Sequence, residues 1–330
     1  MVVWRWGLDR AAPGRHGPGA MLAVINVVLP VFAIMAAGYL SGRFGLLGQD
    51  SSQALNGFVY YVALPALFFI AMARVPAGQV LNVPFILAYG GGVLVVAALA
   101  VLAARLLFKL TLGELSLHAM SAIFANTGYM GIPLLFIAYG DAGRLPAIIT
   151  AIINGAIVVG TVTVLLEVAQ HAGSGPLIVL RKAAMGIVRS PLIVSPCLGI
   201  AASALGLEIP VAVATFCDLL GATAGPAALF AIGLFMVGKR LRHGLSEVLW
   251  VTLLKLIGQP LVTWVLAYHL LALDPVWAAS AVILAALPTG ALTFVLAQRY
   301  ETYIQRATSV ILVSTVLSLV TLSLIFLALG

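Results

Sequence analysis

The chain contains long apolar runs without any ionisable side chain, and these constrain its fold more than any other feature. Three of them, Val83 to Ala104, Leu145 to Leu166 and Thr308 to Leu329, each extend over about 20 residues, the length at which an α-helix crosses roughly 30 Å of hydrocarbon. Only 8% of the residues are charged and 63% are hydrophobic, whereas about a quarter are charged in soluble domains. We therefore predict an all-α polytopic membrane protein embedded in a lipid bilayer.

Gly, Pro and charged residues divide the apolar sequence into ten predicted transmembrane helices. These cover residues 22–41, 56–74, 83–108, 117–140, 145–168, 191–207, 213–238, 247–271, 275–298 and 304–329. Residues 1–20 are rich in Arg, Gly and Pro and lack the apolar segment of a secretory signal. We expect them to be a disordered tail, or a mis-assigned extension before a true start at Met21.

Lys and Arg are concentrated in alternate loops, which predicts the orientation of the chain. Eleven lie on one predicted face: Arg43, Arg105, Lys109, Arg181, Lys182, Arg189, Lys239, Arg240, Arg242, Arg299 and Arg306. The loops on the opposite face contain Arg74 and Arg144. The positive-inside rule places the richer face in the cytoplasm, with both termini on the periplasmic side of a bacterial inner membrane. Because topology accounts for the net charge of +7, we expect no nucleic-acid partner.

Four Pro and Gly positions recur at a constant offset of 161 residues. Pro30, Gly38, Gly45 and Pro65 correspond to Pro191, Gly199, Gly206 and Pro226. The offset predicts two five-helix repeats, residues 21–170 and 191–330, joined by a short cytoplasmic linker at 171–190. Because five is odd, the second repeat must enter the membrane from the opposite side. Inverted repeats of this kind allow a membrane protein to open alternately to either face.

The predicted fourth and ninth helices are both interrupted near their centres. The fourth contains Asn126, Thr127, Gly128, Gly131 and Pro133, and the ninth contains Pro288, Thr289 and Gly290. Gly permits unwinding, and Pro lacks the backbone N–H that would continue a helix. In lipid, such a break is tolerated only where protein or a water-filled cavity surrounds it. Each interruption therefore predicts a half-helix N-terminus near mid-membrane, where unpaired N–H groups favour a bound carboxylate.

Each interruption by itself also has an ordinary explanation. Pro and Gly are common in transmembrane helices, and a lone Asn often only holds two helices together. Interruptions at matching positions of two inverted repeats, however, are the best sequence indication of a transporter's substrate site. We therefore predict a substrate site formed by the two broken helices.

Three separated motifs resemble those of one family. The run from Asn126 to Leu135, NTGYMGIPLL, is similar to the fourth-helix motif of the auxin efflux carrier family, which includes plant auxin exporters and bacterial carriers of the malonate and malate type. The segment from Leu287 to Tyr300 resembles the ninth helix of that family, and Leu55-Asn56 with Leu64-Pro65 resembles its second. The likeness extends from about Met21 to the C-terminus.

The resemblance implies ten helices in two inverted repeats, with helices 4 and 9 crossing at mid-membrane, and a homodimer formed through helices 1, 2, 6 and 7. By motif match it implies a substrate site containing Asn126, Gly131, Pro133, Pro288 and Gly290; Thr127, Thr289 and Thr293 are added from their polarity. A malonate- or malate-like carboxylate is the favoured substrate. An auxin-like acid is less favoured, because the link between the halves lacks the long hydrophilic loop common in the plant exporters.

The few charged residues near the spans suggest no coupling mechanism. Glu167, Asp218 and Lys255 are each predicted within about two turns of a membrane interface, where snorkelling explains them. His118 and His269 lie near span ends, where solvated or structural roles are expected. The two cysteines, Cys197 and Cys217, form no CxxC motif, so we expect no metal or other cofactor.

Other functional classes were weighed against the transporter. No HExxH, GxSxG or Walker-type GxxxxGK[ST] motif occurs in the sequence, which argues against an enzyme or an ATP-driven pump. A channel-like pore remains an alternative, because broken helices also build pores. A sodium-coupled symporter of the bile-acid type is a second alternative by analogy of fold, and a ligand sensor is a third.

Overall fold

A computed structural model describes residues 18–74, 82–170, 191–238 and 244–329 of the chain. Within these ranges the protein is almost entirely helical and contains no strand, and the only β-type pairing is an isolated antiparallel bridge between Ala125 and Thr289. The predicted linker at 171–190 and most of the predicted N-terminal tail lie outside the described residues. The first described helix begins at Pro18.

The described helices of the first half are α1 (Pro18–Arg43), α2 (Asp50–Ala73), α3 (Val83–Phe108), α4 (Leu112–Ile123), α5 (Ile132–Tyr139) and α6 (Gly140–Gln170). Those of the second half are α7 (Pro191–Ala204), α8 (Val211–Phe235), α9 (Leu245–Leu270), α10 (Pro275–Ala285), α11 (Leu292–Arg299) and α12 (Ile304–Leu329). Helices α3 and α12 have the bounds predicted from the sequence.

Six of these helices are long and apolar enough to cross a membrane: α2, α3, α6, α8, α9 and α12. Many of their large apolar side chains are exposed on the outside of the protein, such as Leu94, Leu249 and Leu324. A contiguous apolar surface of this extent is unfavourable in water and favourable against lipid. Helix α10 and residues 194–204 of α7 are apolar but shorter.

Two helix pairs approach each other closely at glycines. A side chain at Gly38 of α1 would clash with the carbonyl group of Phe230 in α8, and one at Gly199 of α7 would clash with the carbonyl group of Phe69 in α2. Gly199 lies 161 residues after Gly38, and Phe230 lies 161 residues after Phe69. Adding the offset found in the sequence to the glycine of one contact, and subtracting it from the phenylalanine, therefore gives the other contact. The two contacts are therefore equivalent under that offset.

The four helices α1, α2, α7 and α8 pack together as one group. An ion pair reinforces this group at one end: Arg74, just after α2, donates two hydrogen bonds of 2.7 and 2.6 Å to the carboxylate of Asp218 in α8. The remaining helices form a second group, in which α4 packs against α3, α6 and α12, and α9 packs against α3 and α12. The segment between α4 and α5 and the segment between α10 and α11 lie where these groups meet.

Candidate functional site

The two interruptions of the helices contact each other directly. Helix α4 ends at Ile123 and a π-helical turn, Thr127–Gly131, precedes α5, while α10 and α11 are separated by residues 286–291. The backbone N–H of Asn126 donates to the carbonyl oxygen of Pro288, and the N–H of Gly290 donates to the carbonyl oxygen of Phe124, each over 2.9 Å. Each segment thereby satisfies backbone groups that the other leaves unpaired, as an apolar environment requires.

Glycines allow the two segments to come this close. An added Cβ at Gly290 would lie 2.5 Å from Cε1 of Phe124, inside the bridge itself. An added Cβ at Gly131 would lie 2.8 Å from a methyl group of Leu284 and 2.9 Å from one of Leu287. A larger residue at either position would press against these side chains, so both glycines favour close packing at the crossing.

Thr289 connects the bridge to two neighbouring helices. Its backbone N–H donates to the hydroxyl oxygen of Ser314 in α12 over 3.1 Å, and its hydroxyl donates to the carbonyl oxygen of Ser121 in α4 over 2.7 Å. The nearby Thr293 is fully buried, and its hydroxyl has no hydrogen-bond partner among the described residues. Thr289 thus has a clear structural role in holding the crossing in place.

A cavity of about 260 Å³ lies beside the bridge, between the crossing and the group that contains α2 and α8. The crossing contributes Phe124, Ala125, Asn126, Thr127, Gly128, Ile132, Gly290, Ala291, Leu292 and Val295, and α6 contributes Ala151, Asn154 and Gly155. The opposite wall comes from Val59, Leu64, Leu67, Phe68, Ala71 and Met72 of α2 and from Gly221, Ala222 and Ala228 of α8. The cavity is therefore mostly apolar, as small-molecule sites usually are.

The polar side chains of the cavity are two amides and one hydroxyl group. Asn126 and Thr127 belong to the first interruption, and Asn154 belongs to α6. The Asn154 amide donates to the Tyr89 hydroxyl over 3.1 Å and approaches the Thr127 hydroxyl at 3.4 Å. Gly128 is exposed, with nothing within 4 Å of the position a Cβ would take. Among the described residues that line the cavity, none is charged.

The structure separates the predicted site residues into two groups. Asn126, Thr127, Gly128 and Gly290 line the cavity, whereas Gly131, Pro288, Thr289 and Thr293 lie at the crossing without lining it. Pro133 lies in the first turn of α5, and its side chain is outside the described part of the structure. A role in substrate binding stays a prediction for each of these residues.

A second polar cluster lies away from the cavity and joins the two halves of the chain. Glu247 of α9 accepts hydrogen bonds from the Tyr303 hydroxyl at 2.7 Å and contacts Nδ1 of the buried His118 in α4 at 2.8 Å. Arg306 of α12 lies 3.3 Å from the same carboxylate. Burial, together with the Glu247 carboxylate, raises the pKa of Tyr303. The phenol therefore stays protonated and remains a hydrogen-bond donor.

Comparison with known proteins identifies the family. A family model described as "Membrane transport protein" matches residues 23–326, which is nearly the whole chain. The chain belongs to this membrane transport protein family. It is the auxin efflux carrier family predicted from the three motifs, so that prediction is confirmed.

Relatives match over almost their full length. A protein of Rhizobium meliloti named "Putative malonate transporter" is 31% identical over 303 residues, which cover 92% of this chain and 95% of that protein. The "Uncharacterized transporter YfdV" of Escherichia coli is 28% identical over 304 residues, covering 88% and 92%. The "Uncharacterized transporter MJ1031" of Methanocaldococcus jannaschii is 24% identical over 309 residues, covering 91% and 97%. Together with the six apolar helices, membership of this family makes the chain a multi-pass membrane transport protein.

The structure gives two polar residues near the crossing of this transport protein surroundings that the sequence analysis does not predict. Asn154 lines the cavity but is not among the predicted site residues, although an amide within an uncharged apolar span can indicate a polar site. Snorkelling towards a membrane interface is the role predicted for Lys255, and the structure contradicts it: the side chain is fully buried, and its Nζ donates a hydrogen bond to the carbonyl oxygen of Ala285 at the end of α10. An apolar run does not show whether a residue within it faces lipid or protein. For Lys255, the packing of α9 against α10 decides this.

Proposed function

We propose that the protein is a secondary transporter that moves a small organic anion across the bacterial inner membrane by alternating access. The substrate would be a mono- or dicarboxylate, with malonate- or malate-like acids favoured, bound where the two interruptions cross. One observation carries the proposal: the two bridged segments, through Ala125, Asn126 and Gly290, line a small and mostly apolar cavity that also contains the amide of Asn154. Membership of a transport family and the name of the Rhizobium relative support it.

The helix termini at the crossing favour an anion. The helical turn that leads into α5 begins at Thr127, and the helix dipole gives this end a partial positive charge. The N–H of Thr127 already donates to the carbonyl oxygen of Ala125 over 2.8 Å, and those of Met130 and Gly131 donate to the carbonyl oxygen of Asn126, so the anion would be attracted mainly by the dipole at this end. Gly128, in that first turn, is exposed beside the cavity and has no side chain to cover the backbone. Carboxylates are ordinary ligands for such helix N-termini. The amides of Asn126 and Asn154 can donate further hydrogen bonds to carboxylate oxygens.

The size of the cavity favours a small substrate. Its volume of about 260 Å³ lies just below the range of about 300–1,000 Å³ that is usual for small-molecule sites. A three- or four-carbon dicarboxylate suits such a volume better than an indole acid, whose rings would need more room. Malonate and malate are therefore the first substrates to test.

Alternating access is supported by the repeated architecture. The equivalent Gly38–Phe230 and Gly199–Phe69 contacts follow the 161-residue offset, as two inverted five-helix repeats would require. In this proposal α4 with α5, and α10 with α11, are the broken helices 4 and 9, and the group of α1, α2, α7 and α8 is the scaffold through which a homodimer forms. The second group, with the crossing, would move against this scaffold, with both chain termini on the periplasmic side.

The proposal is tested by binding and by flux. The purified protein is heated with malonate, malate, a monocarboxylate and an indole acid, because a ligand that binds the folded state raises the melting temperature. Exchange of radiolabelled malonate is then measured in proteoliposomes for the wild type, for Asn126→Ala and for Gly160→Ala. Gly160 serves as a matched control, since an added Cβ there meets nothing within 4 Å.

We expect stabilisation by a small dicarboxylate, saturable exchange that internal malonate stimulates, and loss of both in Asn126→Ala but not in Gly160→Ala. Flux that does not saturate and is not stimulated by internal substrate would contradict a carrier and favour a pore. Absence of any response to carboxylates would contradict the proposed substrate class. Uptake that requires sodium would favour the symporter of the bile-acid type.

A further inference from the structure

A buried lysine side chain lies beside the end of α10. Lys255 lies near the middle of α9, and its side chain has 0% exposure. Its Nζ donates to Oε1 of Gln259 over 2.6 Å and to the carbonyl oxygen of Ala285 over 2.7 Å. Among the described residues no carboxylate forms an ion pair with it. Its partners are therefore neutral oxygen atoms.

These partners are suited to hold a cation. Ala285 is the last residue of α10, so its carbonyl group has no partner within the helix and carries part of the negative end of the helix dipole. Carbonyl and amide oxygens are also the groups with which proteins bind small hard cations. Both hydrogen bonds are as short as charge-assisted bonds. These two oxygen atoms accept from two of the three donors of an ammonium group.

We propose that Lys255 fills a cation site at the crossing with its own ammonium group, so that the protein binds its anion without a coupling sodium ion. The site consists of the Ala285 carbonyl oxygen and the Gln259 amide oxygen. If Lys255 were shortened, the site would bind a monovalent cation such as an alkylammonium ion. The effect on the anion rests on the proposed function. The cation site itself does not.

Buried polar groups lie between this site and the cavity. The Gln259 amide is near the Tyr89 hydroxyl, although its nitrogen forms no hydrogen bond among the described residues. Asn154 donates a hydrogen bond to Tyr89 and approaches Thr127 on the cavity wall. All of these side chains are buried. Because electrostatic interactions weaken slowly with distance in a poorly polarisable interior, the Lys255 charge can stabilise an anion in a cavity whose described lining has no charged side chain.

The test uses the full-length purified protein and three variants. Lys255→Met removes the charge but keeps most of the side-chain volume, and Lys255→Ala removes both. Thr252→Val, one turn earlier on α9, is the control, because Thr252 is buried and its hydroxyl has no hydrogen-bond partner among the described residues. Melting temperature is measured against malonate concentration in sodium chloride and in choline chloride, and against n-propylammonium chloride without malonate.

We expect the wild type and Thr252→Val to respond to malonate equally in both salts. In Lys255→Met the malonate concentration for half-maximal stabilisation should rise at least about tenfold. This is the effect of one unit charge on a single carboxylate at a separation of roughly 10 Å and an effective dielectric constant of about 20, and malonate has two carboxylates. Propylammonium should raise the melting temperature of Lys255→Ala, whose site is vacated, and restore its response to malonate. It should not stabilise the wild type or Lys255→Met, in which the space is filled.

Three results would overturn the inference: an unchanged malonate response in Lys255→Met, a wild-type response that requires sodium, or equal effects of propylammonium on Lys255→Ala and Lys255→Met. The comparison of wild type with Lys255→Met decides the matter even if Lys255→Ala does not fold. If the wild type responds to no carboxylate, the proposed function fails, whereas the propylammonium measurement contains no carboxylate and still tests the cation site.

Discussion

The backbone N–H of Asn126 donates a hydrogen bond of 2.9 Å to the carbonyl oxygen of Pro288, which joins the two interrupted regions of the chain. With the reciprocal bond from Gly290 to Phe124, this contact satisfies backbone groups that would otherwise be unpaired inside the protein. Both bonds join main-chain atoms, so a substitution breaks them only if it displaces the backbone of one of the two segments.

Gly290→Ala should abolish most transport. The added Cβ would lie 2.5 Å from Cε1 of Phe124 and 3.3 Å from the carbonyl oxygen of Ala125, so the Phe124 ring on the cavity wall, the bridge or both must shift. We expect malonate exchange to fall at least about tenfold, because displacements of about 1 Å at a binding site are costly. Exchange in proteoliposomes measures this, with Gly160→Ala as the control. Equal exchange in the two variants would show that the bridge is not part of the site.

Pro288→Ala should have a smaller effect than Asn126→Ala. Alanine retains the carbonyl group that accepts the bond from Asn126, so the bridge can persist, whereas Asn126→Ala removes an amide from the cavity wall. We expect both variants to insert into the membrane normally and to differ in the malonate concentration that gives half-maximal exchange. A larger loss in Pro288→Ala would indicate that the rigidity of proline is more important than the Asn126 amide.

Gly38→Ala and Gly199→Ala should destabilise the protein to similar degrees. Each added methyl group would clash with a carbonyl group of the facing helix, Phe230 in one case and Phe69 in the other. Overpacking of this kind usually costs about 1–3 kcal/mol. Melting temperatures in detergent measure the effect, and Gly57→Ala is the control because an added Cβ there has no neighbour within 4 Å. A large effect in only one of the pair would contradict their structural equivalence.

Tyr303→Phe should destabilise the protein without altering malonate affinity. The phenol donates a 2.7 Å bond to the Glu247 carboxylate, in a cluster that joins α4, α9 and α12 away from the cavity. Hydrogen bonds to charged groups contribute about 1.5–3 kcal/mol. The matched control is Tyr61→Phe, since Tyr61 is 52% exposed. A change in malonate affinity with no change in melting temperature would assign Tyr303 to transport and not to stability.

Much of the helical framework was predictable because each helix satisfies its own backbone. The lengths of the apolar runs set the bounds of α3 and α12 to the residue, and Gly128 and Pro288 lie in the segments that separate α4 from α5 and α10 from α11. The family also followed from local motifs, since NTGYMGIPLL and its two companion segments are contiguous in the sequence. These features depend on neighbouring residues alone.

Contacts between distant segments required the tertiary structure. The sequence by itself determined that the chain is helical and apolar, and where Gly and Pro disfavour a continuous helix. Only the packing of the helices decided that Asn126 meets Pro288, that Asn154 reaches Thr127 and that Lys255 is buried against Ala285. The physical reason is that a side chain's surroundings depend on which helices face each other, and hydropathy along one helix does not contain that information.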